Sequence, residues 1–309
     1  MQRLEYNTYG GPEDVHLSEF SLPPPGRREV MVRLAAASIN PMDWKLRSGT
    51  MKMSTGSRFP RAMGTDLAGT VEVVGADVSR FRPGDDVVGT TSMKAAGAFA
   101  TMAMTSESLL VKKPPALSFA EAATLPIAGV TALMALMQKA HLKAGQRLFL
   151  NGATGGVGLA ACAIARHIGA EVAGSAGPRS IARAREFGIS PVFDYTTPFP
   201  ASLNGAFDVV FDCHGSLSPE DARRITKPGG VVIDIVPTPK KFLRSLVSSW
   251  YKVLISNPRH ENLQKVVDLA ADRKLVIPIA KTISLADAPT VLAALETGNR
   301  VFGKVIIAL

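Results

Sequence analysis

The stretch from Asn151 to Ala161 reads NGATGGVGLAA. It follows an apolar run, QRLFL, and opens the helical pattern GGVGLAACAIARHI, which Gly169 closes. A strand, a glycine-rich turn and a helix in that order present helix N-terminal N–H groups and positive potential to a phosphate. The spacing Ala153, Gly155, Gly158 matches the dinucleotide fingerprint, with alanine in the first glycine position. Gly155 lets the backbone approach a pyrophosphate, and Gly158 lets the helix pack on the strand. The expected phosphate cradle is therefore Ala153, Thr154, Gly155, Gly156, Val157 and Gly158.

The next strand decides which dinucleotide fits. A site for NAD places Asp or Glu at its end, against the ribose hydroxyls. Here the strand EVAGSA ends around Ser175 with no acid, and Arg179 follows four residues later. A guanidinium pairs with phosphate oxygens in a charge-assisted fork. The expected cofactor is NADP(H), with Ser175 and Arg179 near its 2′-phosphate. Arg183 is left open, and Arg185 is assigned to solvent.

Outward from this turn, strands and helices alternate. AEVAGSA is read as a strand, RSIARAREFG as a helix, and PVFDY, FDVVFDC and GGVVIDIV as further strands. That alternation predicts a doubly wound parallel sheet of Rossmann type over residues 119–275. Its start is marked by SFAE, a capping box from Ser118 to Glu121. An Ala-rich helical region follows, broken at Pro126 and Gly129. Residues 1–118 are β-rich, with EVMVRLAAAS, LAGTVEVVGADV and DDVVGTTS as short strands between Gly/Pro turns. The tail, 276–309, reads strand, helix, strand, and is expected to return to the first domain. A chain of 309 residues suits this two-domain division.

Composition narrows the classes. Two cysteines, Cys162 and Cys213, and five scattered histidines form no metal-ligand spacing. The net charge of +9 is spread along the chain without a basic block, and no nucleic-acid motif accompanies it. The longest apolar run, GVTALMALM, is far short of the roughly 20 residues of a membrane span. The start, MQRLEYNTYGG, has no signal-peptide core. The expectation is a soluble, cytoplasmic protein. The segment Lys240–Ser256, KKFLRSLVSSWYKVLIS, mixes basic and apolar residues. It reads either as an interfacial amphipathic stretch or as a short helix followed by the last Rossmann strand, and the second is favoured.

Several stretches carry a resemblance over essentially the whole chain: EYNTYGG, SINPMDWKLRSG, GTDLAGTVEVVGADVSRFRPGDDVVG, LPIAGVTAL, NGATGGVG and GKVII. They resemble the zinc-free medium-chain dehydrogenase/reductases of the quinone oxidoreductase group, nearest its plant chloroplast-envelope and enone-reductase members. The resemblance implies a Rossmann domain inserted in a GroES-like catalytic domain, a homodimer, and NADPH-dependent reduction of quinones or of the C=C bond of α,β-unsaturated carbonyls. It places Asn40 at the active-site Asn, Thr131 near the nicotinamide, Tyr195 at the 2′-phosphate, and Val236, the last residue of GGVVIDIV, among the cofactor contacts. Zinc-dependent relatives have Cys where Asn40 stands and Gly-His-Glu where this chain has Gly64, Thr65 and Asp66. Bacterial quinone oxidoreductases often have Tyr in place of Lys45.

Without zinc, a simple carbonyl loses its Lewis acid, whereas a conjugated acceptor needs only donors for the developing enolate. Asn40, Lys45 and Thr131 are the expected donors, Asp43 an orienting group and Trp44 a core or pocket residue. The alternative is an NADPH-binding, catalytically weak protein acting at nucleic-acid or membrane surfaces.

Overall fold

The computed structural model describes residues 1–309, the side chain at position 54 excepted. The chain forms two compact units. One comprises Met1–Ile127, Pro258–Ala271 and Ile279–Leu309; the other comprises Ala128–Asn257 and Asp272–Pro278.

The second unit is built on a six-stranded sheet. In chain order its strands are Arg147–Asn151, Glu171–Ala176, Val192–Asp194, Phe207–Asp212, Thr226–Asp234 and Tyr251–Val253. In space they run third, second, first, fourth, fifth, sixth, all parallel. This is the Rossmann order, which reverses between the first and fourth strands. Parallel strands are covered on both faces, which is why they read as continuous apolar runs. Leu148, Phe149 and Leu150 are fully buried, as are Val210 and Phe211. Phe149 packs edge-on against Phe199, with ring centroids 5.2 Å apart. Helices Gly156–Ile168 and Ile181–Glu186 follow the first two strands. Gly169 ends the former in the left-handed conformation at φ 87°, open to glycine at no steric cost.

In the first unit the strand Glu29–Ser38 is central. It pairs antiparallel with Asp66–Val74, Met102–Ser106 and Lys304–Ala308. The tail therefore returns to this unit, as its strand–helix–strand pattern predicts: Ile306 faces Ser38, and Ile279–Ser284 runs parallel to Lys304–Ala308. The period-2 pattern of EVMVRL buries Val30, Val32 and Leu34 with Leu4, Leu67 and Phe99.

The unit borders differ from 118/119 and 275/276. The capping box forms, with Glu121 N–H donating to Ser118 Oγ at 3.2 Å, but the helix it starts, Phe119–Ala123, stays with the first unit. The helix His260–Ala271, not anticipated, also joins the first unit. Its Leu263, Val266 and Val267 are fully buried, and His260 Nδ1 lies 3.0 Å from the Leu110 carbonyl. Pro126 begins the helix Pro126–Leu133 rather than breaking one, and Gly129 lies inside it. A π-helical stretch, Met134–Lys139, follows directly.

Candidate active site

Three element ends converge in the first unit. The strand Glu29–Ser38 runs out toward Asn40, where Pro41 starts the helix Pro41–Arg47. Asp66 opens the neighbouring strand directly opposite Ser38. Lys304 opens the final strand. All three sites are buried, so every polar atom there needs a partner within the protein.

The partners are present. Asp66 Oδ2 accepts from Ser38 Oγ at 2.9 Å and from Asn40 Nδ2 at 2.8 Å, and its Oδ1 accepts from the Ile127 N–H at 3.1 Å. Asn40 Nδ2 also donates to the Ser38 carbonyl at 3.3 Å. Lys304 Nζ donates to Asn40 Oδ1 at 2.6 Å and to the Ile39 carbonyl at 2.8 Å, and lies 3.8 Å from Asp66 Oδ2. Asp43 accepts from the Asn40 N–H at 2.7 Å and from Thr65 Oγ1 at 3.0 Å. Its carboxylate holds the turn between strand and helix, the orienting role expected of it.

The electrostatics follow from burial. Asp43 is pushed up to about 7, chiefly because its charged form is desolvated. Desolvation also raises Asp66, against the opposing pull of Lys304, and lowers Lys304 itself. Lys304 is the member of this network that the sequence reading passed over. Its signal was a lone lysine opening an otherwise apolar strand, GKVII.

Both amide hydrogens of Asn40 are engaged inside the unit, so its side chain acts as a strut rather than a free donor. Lys45 is half-buried on the same helix. Trp44 is half-buried and packs against the hydrophobic core. Arg47 is fully buried, donating to the Gly10 carbonyl and pairing with Glu296. Thr131 is buried in the second unit, on the helix Pro126–Leu133.

In the second unit the glycine turn divides into an inner and an outer part. Ala153 and Gly158 are buried, whereas Thr154, Gly156 and Val157 are half-buried and Gly155 is exposed. A Cβ at Gly158 would stand 2.6 Å from the Gly152 carbonyl oxygen and 2.7 Å from Ala153 backbone atoms. That contact is the close helix–strand approach for which this glycine is required. A Cβ at Gly155 would meet only the Gly152 oxygen, at 3.7 Å. The protein leaves the space over Gly155 open, in front of the N-terminus of a 13-residue helix. A dinucleotide pyrophosphate fits this cradle.

The remaining cofactor candidates fall in two groups. Tyr195 lies against Gly177, where a Cβ would meet its hydroxyl at 3.1 Å, and exposed Arg179 sits two residues further on. Gly177 and Arg179 follow the second strand, and Tyr195 follows the third. Ser175 is not at that surface. The strand continues to Ala176, and Ser175 is completely buried, donating to Asn151 Oδ1 at 2.7 Å. Its hydroxyl also accepts from the Gly152 N–H at 3.3 Å, so it supports the turn from beneath. Val236 packs over Gly215, and its N–H donates to Asp234 Oδ1 at 2.7 Å.

At the switch point Asn151 faces Asp212, and Asn151 Nδ2 donates to Asp212 Oδ1 at 2.8 Å. Asp212 then accepts the N–H groups of His214, Gly215 and Leu217, which fixes the loop after the fourth strand. Lys241 bridges this loop to the next, donating to the Gly215 carbonyl at 2.9 Å and pairing with Asp234 at 2.6 Å. These supports were missed because Asn, Asp and Lys acquire such roles only when strand ends are brought side by side.

Zinc does not fit the first unit. Among the described residues, no three His, Cys, Asp or Glu side chains form a group that would hold a metal. Asn40 Oδ1 accepts from the Lys304 ammonium. Lys304 supplies the positive charge there.

Known proteins agree with this architecture. Residues 26–115 match the alcohol dehydrogenase GroES-like domain, and residues 187–307 the zinc-binding dehydrogenase domain. The chain is 33% identical to the chloroplast envelope quinone oxidoreductase homolog of Arabidopsis thaliana, over 99% of this chain and 98% of that protein. It is also 33% identical to the 2-methylene-furan-3-one reductase of Solanum lycopersicum, over 99% of this chain and 79% of that one. The solved quinone oxidoreductase of Coxiella burnetii superposes with a TM-score of 0.90 at 27% identity, covering 100% of this chain and 99% of that one. A GroES-like unit, a Rossmann sheet and full-length similarity to these proteins make the chain an oxidoreductase of the medium-chain dehydrogenase/reductase superfamily, in its quinone oxidoreductase group.

Proposed function

We propose that the protein reduces quinones or the C=C bond of α,β-unsaturated carbonyls with NADPH. The observation that carries this reading is the Lys304–Asn40–Asp66 network, in which Asn40 and Asp66 stand where the resemblance gives zinc-dependent relatives Cys and Glu. A site closed by an ammonium offers no Lewis acid to a simple carbonyl, so the acceptor must be activated by its own conjugation. The names of the Arabidopsis and tomato relatives point the same way.

Bound NADPH supplies a hydride equivalent to the β-carbon of the acceptor. The chain's own part is to bind, orient and stabilise. Ala153, Thr154, Gly155, Gly156, Val157 and Gly158 would hold the pyrophosphate, Arg179 and Tyr195 the 2′-phosphate end, and Val236 the far half of the cofactor. Ser175 contributes from beneath the turn. Lys45 is the ammonium left to stabilise charge on the acceptor oxygen, with Thr131 as a further donor. Asn40 keeps the Pro41–Arg47 helix, and so Lys45, in place. A homodimer is expected through the sheet edge Tyr251–Val253, and the low cysteine content favours a reducing, cytoplasmic setting.

The test is oxidation of NADPH and NADH against a panel of enones, quinones and aldehydes, with product analysis. A saturated ketone formed from an enone, with NADPH preferred, is the expected result. Turnover of simple aldehydes in place of conjugated acceptors would refute the proposal. Tight NADPH binding without any turnover would favour the catalytically weak binding protein.

A further inference from the structure

Two aspartates close neighbouring strands at the same level of the Rossmann sheet. Asp212 on the fourth strand and Asp234 on the fifth are directly paired in register, and both are buried. Each secures the loop that follows it. Asp212 accepts the N–H groups of His214, Gly215 and Leu217, and Asp234 accepts that of Val236. Toward the glycine turn, Asp212 also accepts from Asn151, whose own oxygen accepts from Ser175. Toward the sheet edge, Asp234 accepts from the Tyr251 hydroxyl at 2.8 Å. A polar row thus crosses the sheet from the second strand to the sixth, under the loops at its carboxyl ends.

The step from Asp212 to Asp234 is the weak place in that row, because two carboxylates side by side repel each other. Lys241, the third residue of the helix Pro239–Val247, bridges it. Its ammonium pairs with Asp234 at 2.6 Å and donates to the Gly215 carbonyl at 2.9 Å. Its backbone is fixed as well, the Lys241 N–H donating to Thr238 Oγ1 at 3.3 Å. The two loops it joins are packed together. Gly215 has φ +80°, and a Cβ there would stand 2.4 Å from Val236 Cγ2. The next residue back, His214, lies against the glycine turn, where a Cβ on Gly152 would come within 3.3 Å of His214 Cβ.

A dinucleotide at the switch point of such a sheet lies across the carboxyl ends of its strands. The glycine turn and Arg179 serve the pyrophosphate and the adenosine end. The loops after the fourth and fifth strands are left for the nicotinamide half. We propose that Lys241 is a positioning residue for that half: by clasping the Gly215 loop to Asp234, it holds both loops in the arrangement that receives the nicotinamide nucleotide. The proposal rests on the cofactor reading given above. Lys241 acts through Gly215 and Val236 and needs no contact of its own with cofactor or substrate.

The experiment is calorimetric titration of the full chain with NADPH and with adenosine 2′,5′-bisphosphate, which carries the adenosine end alone. The wild type is expected to bind both. Lys241→Met should weaken NADPH about 10-fold, the loss expected when about one molecule in ten holds both loops in the receptive arrangement. Its affinity for the bisphosphate should stay unaltered. Lys241→Arg keeps the cation and should restore most of the NADPH affinity. Lys241→Gln serves where the methionine variant does not fold, with the same selective loss expected. Equal weakening of both ligands would overturn the proposal, since a general structural defect reaches the adenosine side too. Unaltered NADPH affinity in Lys241→Met would also overturn it and leave the cofactor reading intact. A wild type that binds no NADPH would refute the cofactor reading, and the proposal with it.

Discussion

Lys304 sets its ammonium 2.6 Å from the side-chain oxygen of Asn40, a residue 264 positions away in the chain. Removing that ammonium leaves Asp66 buried without its cation. Breaking one partner of a buried pair costs about 3–5 kcal/mol. Lys304→Met should therefore lower the unfolding free energy by about that amount in urea titrations. Turnover should fall with it, while NADPH affinity stays near wild type, because the proposed phosphate cradle, Ala153 to Gly158, belongs to the other unit. Equal stability of the variant would show that the network is not needed for folding.

Burial raises Asp43 to about 7, well above the ordinary carboxylate value. Between about pH 4 and pH 7 the folded state then holds a proton that the unfolded chain has released. The Asp43 contribution to stability is therefore greatest below about pH 4, declines as pH rises to about 7, and is level above that. Asp43→Asn removes this slope and still accepts the Asn40 N–H. The wild-type curve of unfolding free energy against pH should fall relative to the variant across that window, by a few kcal/mol. Parallel curves would place the proton elsewhere.

Two glycines of one turn should respond differently to the same methyl group. At Gly158 the new Cβ collides with backbone at 2.6–2.7 Å, so Gly158→Ala should lower the melting temperature and weaken cofactor binding together. At Gly155 the nearest atom is 3.7 Å away. Gly155→Ala should keep the melting temperature and weaken NADPH binding, measured by fluorescence titration. Unaltered NADPH affinity in Gly155→Ala would show that the phosphates lie elsewhere.

Arg179 is exposed three residues beyond Ala176, where the strand Glu171–Ala176 ends without an acid. Arg179→Ala should raise the Kd for NADPH about 10-fold, a loss of about 1.4 kcal/mol, and leave that for NADH nearly unchanged. Equal losses for both cofactors would contradict a 2′-phosphate contact.

Metal should be irrelevant to turnover. Added zinc or a chelator is expected to leave the rate of enone or quinone reduction unaltered. A chelator-sensitive rate, restored by zinc, would contradict the zinc-free mechanism.

Much of this was legible in short segments, because local patterns carry local consequences. The strand, glycine turn and helix around Asn151 announced themselves by apolar run, turn residues and helical period. EVMVRLAAAS revealed its alternating burial, and SFAE its capping box. What misled was always a question of neighbours. Ser175 stands where a ribose contact belongs in sequence, yet the parallel packing of the first two strands turns it beneath the turn, against Asn151. The helix at 239–247 and the edge strand after it formed as expected, but an amphipathic pattern does not say which side faces in.

The sequence by itself determined the Rossmann unit, its glycine turn, the missing acid before Arg179, and the return of the C-terminal tail. Each depends on residues close in the chain or on one strand's pattern. Only the tertiary structure decided that Lys304 meets Asn40 and Asp66, that both hydrogens of the Asn40 amide are engaged within its unit, and that the 239–247 helix presents its apolar side to the outside. Those facts depend on which strand ends meet and on what is left uncovered when they do. A buried charge must find its partner wherever packing brings one, and no local pattern specifies where that will be.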